Sequence, residues 1–165
     1  MGFAARADLL ARCNARRLAQ LAVPADMDMV PDEALRLAIA GGDLSGYSQD
    51  EQQAIALALD AIDKALADAD ALVLTYGIPD TVQTPLLARI ASTIALYNLQ
   101  GAENMTEDVS KAYGNVITML GNHSKGTQNL IPAPPEEPAP SSDLAIIDSR
   151  PGRYGVRRLS QDDDD

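Results

Sequence analysis

Cys13 and His123 are the side chains of this sequence whose types most often carry nucleophilic and acid–base chemistry. The chain has one cysteine and one histidine, so a thiolate–imidazole pair would need these two distant residues to meet. Neither lies in a local signature of a cysteine enzyme. We therefore expect Cys13 to be a small buried side chain on a helix. His123, in LGNHSKG, is expected to cap a helix end or to face solvent.

Metal ions and nucleotides need clustered ligands or glycine-rich loops, and the sequence offers neither. One Cys and one His are too few for a zinc site. Asp26, Asp28 and Asp32 lack the glycine and the terminal glutamate of a calcium loop. The common nucleotide-binding, metalloprotease and hydrolase motifs are absent. The sequence therefore predicts a protein that is not an enzyme, with no cofactor and no metal.

The last 35 residues carry the most unusual pattern in the chain. Residues 131–143 hold five of the ten prolines and predict an extended spacer. DLAIID and RYGVRRLS follow as strand-like runs around the turn SRPG, in the segment 144–165. A two-stranded hairpin is marginally stable alone in water, so this arm is predicted to dock on a partner. Its candidate partner-binding residues are Leu144, Ile146, Ile147, Arg150, Arg153, Tyr154, Val156, Arg157, Arg158 and Leu159.

Two alternatives to docking stay open for the arm. Its arginines could bind phosphate, but four aspartates at 162–165 lie within about one Debye length and argue against strong nucleic-acid binding. The arm could also be a solubilising tail. A tail that only solubilises has no need of alternating apolar residues, so docking is the preferred interpretation.

Composition excludes other broad classes of protein. The chain has 165 residues, a net charge of -11 and a pI near 4.3, so one domain with extensions is expected and general binding to DNA or anionic membranes is not. No apolar run approaches the roughly 20 residues of a membrane span. The first residues do not have the pattern of a secretory signal, and a lone cysteine fits a reducing cytoplasm.

Helical periodicity covers most of residues 1–130. The strongest signal is the capping box of Ser48 and Glu51 before a long apolar stripe. The predicted helices span 6–21 (with Asn14 as a candidate break through a left-handed backbone), 31–40, 48–76, 85–100 and 106–122. The aspartates at 60, 63, 68 and 70 are expected to form a solvated helix face. The predicted fold is all-α: a small antiparallel bundle of a long central helix and two or three packed helices, with an extended C-terminal arm that forms strands with a partner.

Four segments resemble a protein family encoded by Mu-like phages and prophages. RIASTIALYNLQG (89–101) and KAYGNVITMLGNHSKGTQNL (111–130) are similar to two successive helices of that family. DLLARCNARRLAQL looks like its opening segment, and ALADADALVLTYGIP like its helix that ends in Tyr-x-Leu-Pro. The resemblance covers roughly residues 6–130. Residues 24–49 are longer than the corresponding connection in the family.

The resemblance implies a head–tail connector, also called an adaptor or head-completion protein, with residues 1–130 as its helical domain. Such proteins form a ring beneath the portal, which implies a dodecamer, and are joined to a stopper or tail-terminator protein. It also implies an arm that adds a strand to the portal, and Tyr76, Tyr97 and Tyr113 in a common core. DNA would pass through the channel without specific binding, and the protein would lie in the virion after assembly in the host cytoplasm.

The competing interpretation is a small helical phage regulatory protein that binds a host or phage partner through its C-terminal arm. A chain that stays monomeric beside portal rings would favour it. An enzyme ranks last, because no convergent set of polar residues is found.

Overall fold

The computed structural model describes residues 2–101 and 105–132, all within the unit Met1–Pro132. All regular structure in these residues is helical, so the predicted all-α fold is confirmed for this part of the chain. Residues 133–165, with the predicted spacer and strand-like runs, lie outside the described residues. The described helices are α1 (Arg6–Leu10), α2 (Ala15–Ala22), α3 (Asp32–Ile39), α4 (Gln49–Thr75), α5 (Pro85–Gln100) and α6 (Glu107–Ser124).

Helix α4 is the central element and has 27 residues, which gives a length of about 40 Å. Its start is the predicted capping box: the Ser48 hydroxyl accepts from the Glu51 N–H at 3.3 Å, and the Glu51 carboxylate accepts from the Ser48 N–H at 2.8 Å. It ends before Gly77, whose φ of 85° is a left-handed conformation that glycine adopts without strain. Both ends agree with the sequence prediction to within about two residues.

The buried face of α4 alternates small and large side chains. Its alanines let neighbouring helices approach closely, while its branched residues fill the gaps. Helix α5 packs most extensively on this face, and α1, α2 and α3 also contact α4, whereas α6 packs mainly on α5. The buried residues of α4 are Ala54, Ile55, Ala58, Ile62, Ala65, Leu66, Ala69 and Val73.

The segment 24–49 docks on the first part of α4 through a small core of its own. This second core consists of Val30, Ala34, Ala38, Ala54 and Ile55, all buried. The segment that exceeds the family's connection is therefore packed against the central helix.

The predicted helix 6–21 is interrupted, as its candidate break at Asn14 anticipated. Helix α1 ends at Leu10, and Asn14 starts α2 as its N-cap: the side-chain oxygen of Asn14 accepts from the Arg17 N–H at 2.7 Å. The predicted left-handed backbone at Asn14 is wrong, because its φ of -63° and ψ of 153° are extended. Capping satisfies a free helical N–H from that conformation. Pro31 likewise lies at the N-cap of α3 rather than within the helix.

Two of the aspartates predicted to form a solvated face also hold the N-terminal segment on α4. The Phe3 N–H donates to Asp70 Oδ1 at 2.9 Å, and the Phe3 ring is buried in the main core. The Arg6 guanidinium donates to both oxygens of Asp63, with an Nε–Oδ1 distance of 2.7 Å. Burial raises the pKa of Asp70, and the hydrogen bond from Phe3 acts in the opposite direction. The prediction of a solvated face holds for Asp60, Asp63 and Asp68, which are exposed, whereas Asp70 is partly buried.

Replacing Ile62 by alanine should lower the free energy of unfolding by about 2–5 kcal/mol, since Ile62 is fully buried on α4. Leu57 lies on the same helix with 40% of its surface exposed, so L57A should change it by no more than about 0.5 kcal/mol. Urea unfolding followed by circular dichroism measures both. Equal losses for the two variants would contradict this orientation of α4.

The D70N variant should be at least as stable as the parent protein at pH 7. Because the pKa of Asp70 is raised in the folded state, the folded protein holds this proton at pH values where the unfolded chain has already lost it. The free energy of unfolding of the parent therefore falls as pH rises between the ordinary and the raised pKa. D70N removes the charge of this partly buried carboxylate and keeps an acceptor for the Phe3 N–H. The difference in free energy of unfolding between D70N and the parent should therefore shrink as pH falls toward 4.

D70A is the matched variant, because it leaves the Phe3 N–H without its acceptor and should cost about 1 kcal/mol or more. Urea unfolding of the three proteins at pH 4 and pH 7 provides the comparison. The anchoring role of Asp70 would be refuted if D70N and D70A lost equal stability at pH 7.

Candidate partner-binding surfaces

The ten arm residues predicted to bind a partner, from Leu144 to Leu159, lie outside the described residues. The structure therefore does not test whether these residues lie together, and the docking arm stays a prediction. The helical unit Met1–Pro132 has candidate surfaces of its own.

Cys13 lies in the turn between α1 and α2, not on a helix as predicted. Cys13 is half-buried, and burial raises the pKa of its thiol against the opposing effect of Arg17; such a thiol is a poor nucleophile at neutral pH. His123 lies in the last turn of α6, where its Nδ1 accepts from the Leu130 N–H at 3.3 Å. No hydrogen bond of residues 2–101 and 105–132 joins Cys13 to His123.

The described residues form neither a candidate metal site nor a candidate membrane span. No group of three or more His, Cys, Asp or Glu side chains that could hold a metal ion occurs in the part of the chain that the structure describes. No helix within that same part has the length and apolar character needed to cross a membrane.

A groove runs along the outer side of α5 and is bordered by three arginines. Its floor comes from one face of α5, its first wall from the junction of α1 and α2, and its second wall from α6. Two adjoining cavities of about 290 and 350 Å³ form it and share Arg12. We call it the basic groove; it is lined by Arg12, Cys13, Arg17, Leu21, Leu86, Arg89, Ile90, Thr93, Leu96, Gln100, Thr106, Val109, Ala112, Asn115, Val116 and Met119.

The three arginines of the basic groove form no salt bridge within the described residues. Burial and the nearby charge of Arg89 lower the pKa of Arg12, and Asp8 acts in the opposite direction. Within residues 2–101 and 105–132, the salt bridges join other residues: Arg6 to Asp63 and Lys64 to Asp60. Like charges held together beside apolar side chains favour an anionic partner with apolar neighbours.

A second surface of opposite charge is built from the start of α4 and the loop before α3. We call it the acidic face; it surrounds a depression of about 470 Å³ lined by Asp26, Met27, Asp28, Met29, Ser48, Asp50 and Glu51. Hydrogen bonds from the Ser48 N–H and hydroxyl lower the pKa of Glu51. Met29 is 58% exposed, the most exposed of the large apolar side chains described. No lining residue of the depression is basic.

The tyrosines expected to share a core lie at its margin. The rings of Tyr97 and Tyr113 stack with centroids 3.8 Å apart and an interplanar angle of 12°, which ties α6 to α5. Tyr76 and Tyr113 pack half-buried against the main core. Tyr76 and Tyr113 thus contact the main core as predicted, and Tyr97 joins them through its stacking on Tyr113.

The basic groove was missed from sequence because α5 was assigned a single apolar stripe. Leu86, Arg89 and Thr93 lie on the side of α5 away from that stripe, and Leu86 is 39% exposed. The sequence did contain a signal for the basic groove. Leu86 and Arg89 lie near each other on α5, on the side opposite its buried apolar stripe, and an exposed leucine there indicates a binding surface.

Replacing Arg89 by glutamine should leave the isolated protein as stable or slightly more stable, because the substitution removes a repulsion with Arg12. The difference in free energy of unfolding between R89Q and the parent should shrink at high salt, where exposed charges are screened. Urea unfolding at low and high salt measures it. A clear loss of stability in R89Q at low salt would show that Arg89 has a stabilising partner instead.

Comparison with known proteins places the helical unit and part of the arm in one family. The model of the family described as Bacteriophage Mu, Gp36 matches residues 3–149. The matched range includes the first strand-like run and ends before Arg150. No curated protein matches the chain. Since the match covers most of the chain, this protein belongs to the Bacteriophage Mu Gp36 family, as its resemblance to Mu-like phage proteins predicts.

Proposed function

We propose that this protein is a structural head–tail connector of a tailed phage. It forms a ring under the portal and joins the portal to a stopper or tail-terminator protein. The observation that carries the proposal is the family match over residues 3–149, which takes in both the helical unit and the first part of the arm. A connector needs those two parts: a rigid body that forms the ring and an extension that reaches another protein.

The helical unit has properties that suit a ring subunit. Its helices are packed on a single central helix, so neighbouring copies can contact its outer faces without rearranging the core. Its surface offers faces of opposite charge, the basic groove and the acidic face. A ring requires unlike faces on the two sides of each subunit.

The acidic character of the chain suits a channel through which DNA passes without specific binding. A net charge of -11 repels the DNA backbone. Such a wall lets DNA slide during packaging and ejection. In this proposal the protein lies in the virion at the head–tail interface after assembly in the host cytoplasm.

The C-terminal arm docks by strand addition to the portal in this proposal. Backbone hydrogen bonds supply affinity in that mode of binding, and alternate side chains supply specificity. The first strand-like run, with Leu144, Ile146 and Ile147, lies inside the range matched by the family model, whereas the arginine-rich run lies beyond it. The first run is therefore the preferred strand.

The test mixes purified portal with the full chain and with chains stopped after Leu130 or after Ser149. Size-exclusion chromatography with light scattering then gives the mass of each complex. The full chain and the chain stopped after Ser149 should co-elute with the portal, and the chain stopped after Leu130 should not. Binding by all three would assign the contact to the helical unit and the arm to the tail side.

A matched pair of proline variants tests strand addition within the full chain. I146P removes a backbone donor from the proposed strand and should abolish co-elution. S141P adds a proline to a segment that already contains several and should bind normally. If no form of the protein bound the portal, the connector proposal would fail and a regulatory protein would be the better interpretation.

A further inference from the structure

We propose that the basic groove binds the acidic face of a second copy of this chain, with Met29 inserted between the arginines. This inference rests on the proposed connector function and deepens it, because it names the two surfaces that meet around the ring. Both surfaces belong to the helical unit.

Charge complementarity identifies the partner. Arg12 and Arg89 line the same cavity, and no carboxylate of the described residues forms a salt bridge with either, although the charge of Asp8 acts on Arg12. Asp26, Asp28 and Asp50 line a depression that has no basic residue in its lining. Contact between two copies would bring these opposite charges together.

Apolar contact is needed as well, because exposed salt bridges alone contribute little. Met29 is 58% exposed on the acidic face, directly after Asp28 in the chain, and both residues line the depression. The basic groove provides apolar side chains to receive it, including Leu86, which is 39% exposed, and Met119. Methionine adapts to irregular apolar surfaces, so Met29 is suited to enter the groove while neighbouring carboxylates meet the arginines.

The contact is heterologous, because the two surfaces share no residue. The basic groove comes from α5, α6 and the α1–α2 junction, and the acidic face comes from the start of α4 and the loop before α3. Each copy can therefore bind one neighbour through its groove and another through its acidic face. Such contacts form rings when the rotation closes. DNA is the less suitable occupant, since the net charge of -11 opposes its approach.

Cysteine crosslinking of the full chain tests the contact. In a C13A background, A25C introduces a thiol beside the acidic face and A112C introduces one in the basic groove, both at exposed positions. Oxidation of an equal mixture of the two variants should give disulfide-linked dimers on a non-reducing gel. A112C mixed with A71C, an exposed alanine of α4 outside both surfaces, should give far fewer.

Charge reversal tests the cause of the contact. R89E should reduce the yield of A25C–A112C dimers about tenfold, equivalent to about 1.4 kcal/mol, and D28R in the partner copy should restore it. K125E makes the same change of net charge away from both surfaces and should leave the yield unchanged. A yield that follows net charge alone would refute the specific pairing.

The crosslinking is done on the free protein and on portal rings, so that the two proposals fail separately. If the protein co-elutes with the portal but no A25C–A112C dimer forms in either setting, this inference is wrong and the connector function stands. If the dimer forms but the protein does not bind the portal, the interface stands and the connector function fails. Dimers of A112C with itself would indicate a symmetric contact and overturn the proposal.

Discussion

The burial of one face of α4 is the interaction on which the rest of the molecule depends. Helices α1, α2, α3 and α5 all pack on α4, and α6 is attached through α5. At about 25 cal/mol per Å² of apolar area, this burial is the main stabilising contribution. Alanines make up half of the buried positions of α4, and such small side chains let neighbouring helices approach closely.

The distribution of charge links this packing to function. The chain is strongly acidic, yet α1, α2 and α5 bring Arg12, Arg17 and Arg89 together around an apolar groove. Exposed charges of like sign are weakly stabilising at best, so the proposed contact with a neighbouring copy gives this arrangement a role that stability does not. In the proposed ring, attraction between the unlike faces acts against the overall negative charge, which repels free copies.

Local patterns in the sequence predicted α4, α5 and α6 well, because a capping box, a first-turn proline and an apolar stripe act over a few residues. What sequence reasoning missed depends on contacts between distant residues. The partners of Asp70 and Asp63 were missed because Phe3 and Arg6 lie 67 and 57 residues away in the chain. The break at Asn14 was placed correctly, but its capping geometry was not foreseen. The arm was predicted from alternation alone, and its partner would be another protein.

The ring arrangement is tested most directly by an electron cryomicroscopy reconstruction of the portal with the full chain bound. The connector function predicts one copy per portal subunit in a closed ring, with Arg12 and Arg89 of each copy against Asp28 and Met29 of the next. An arm strand added to the portal should be visible in the same map. Isolated copies bound at irregular positions, or a ring in which the basic groove faces solvent, would contradict this arrangement.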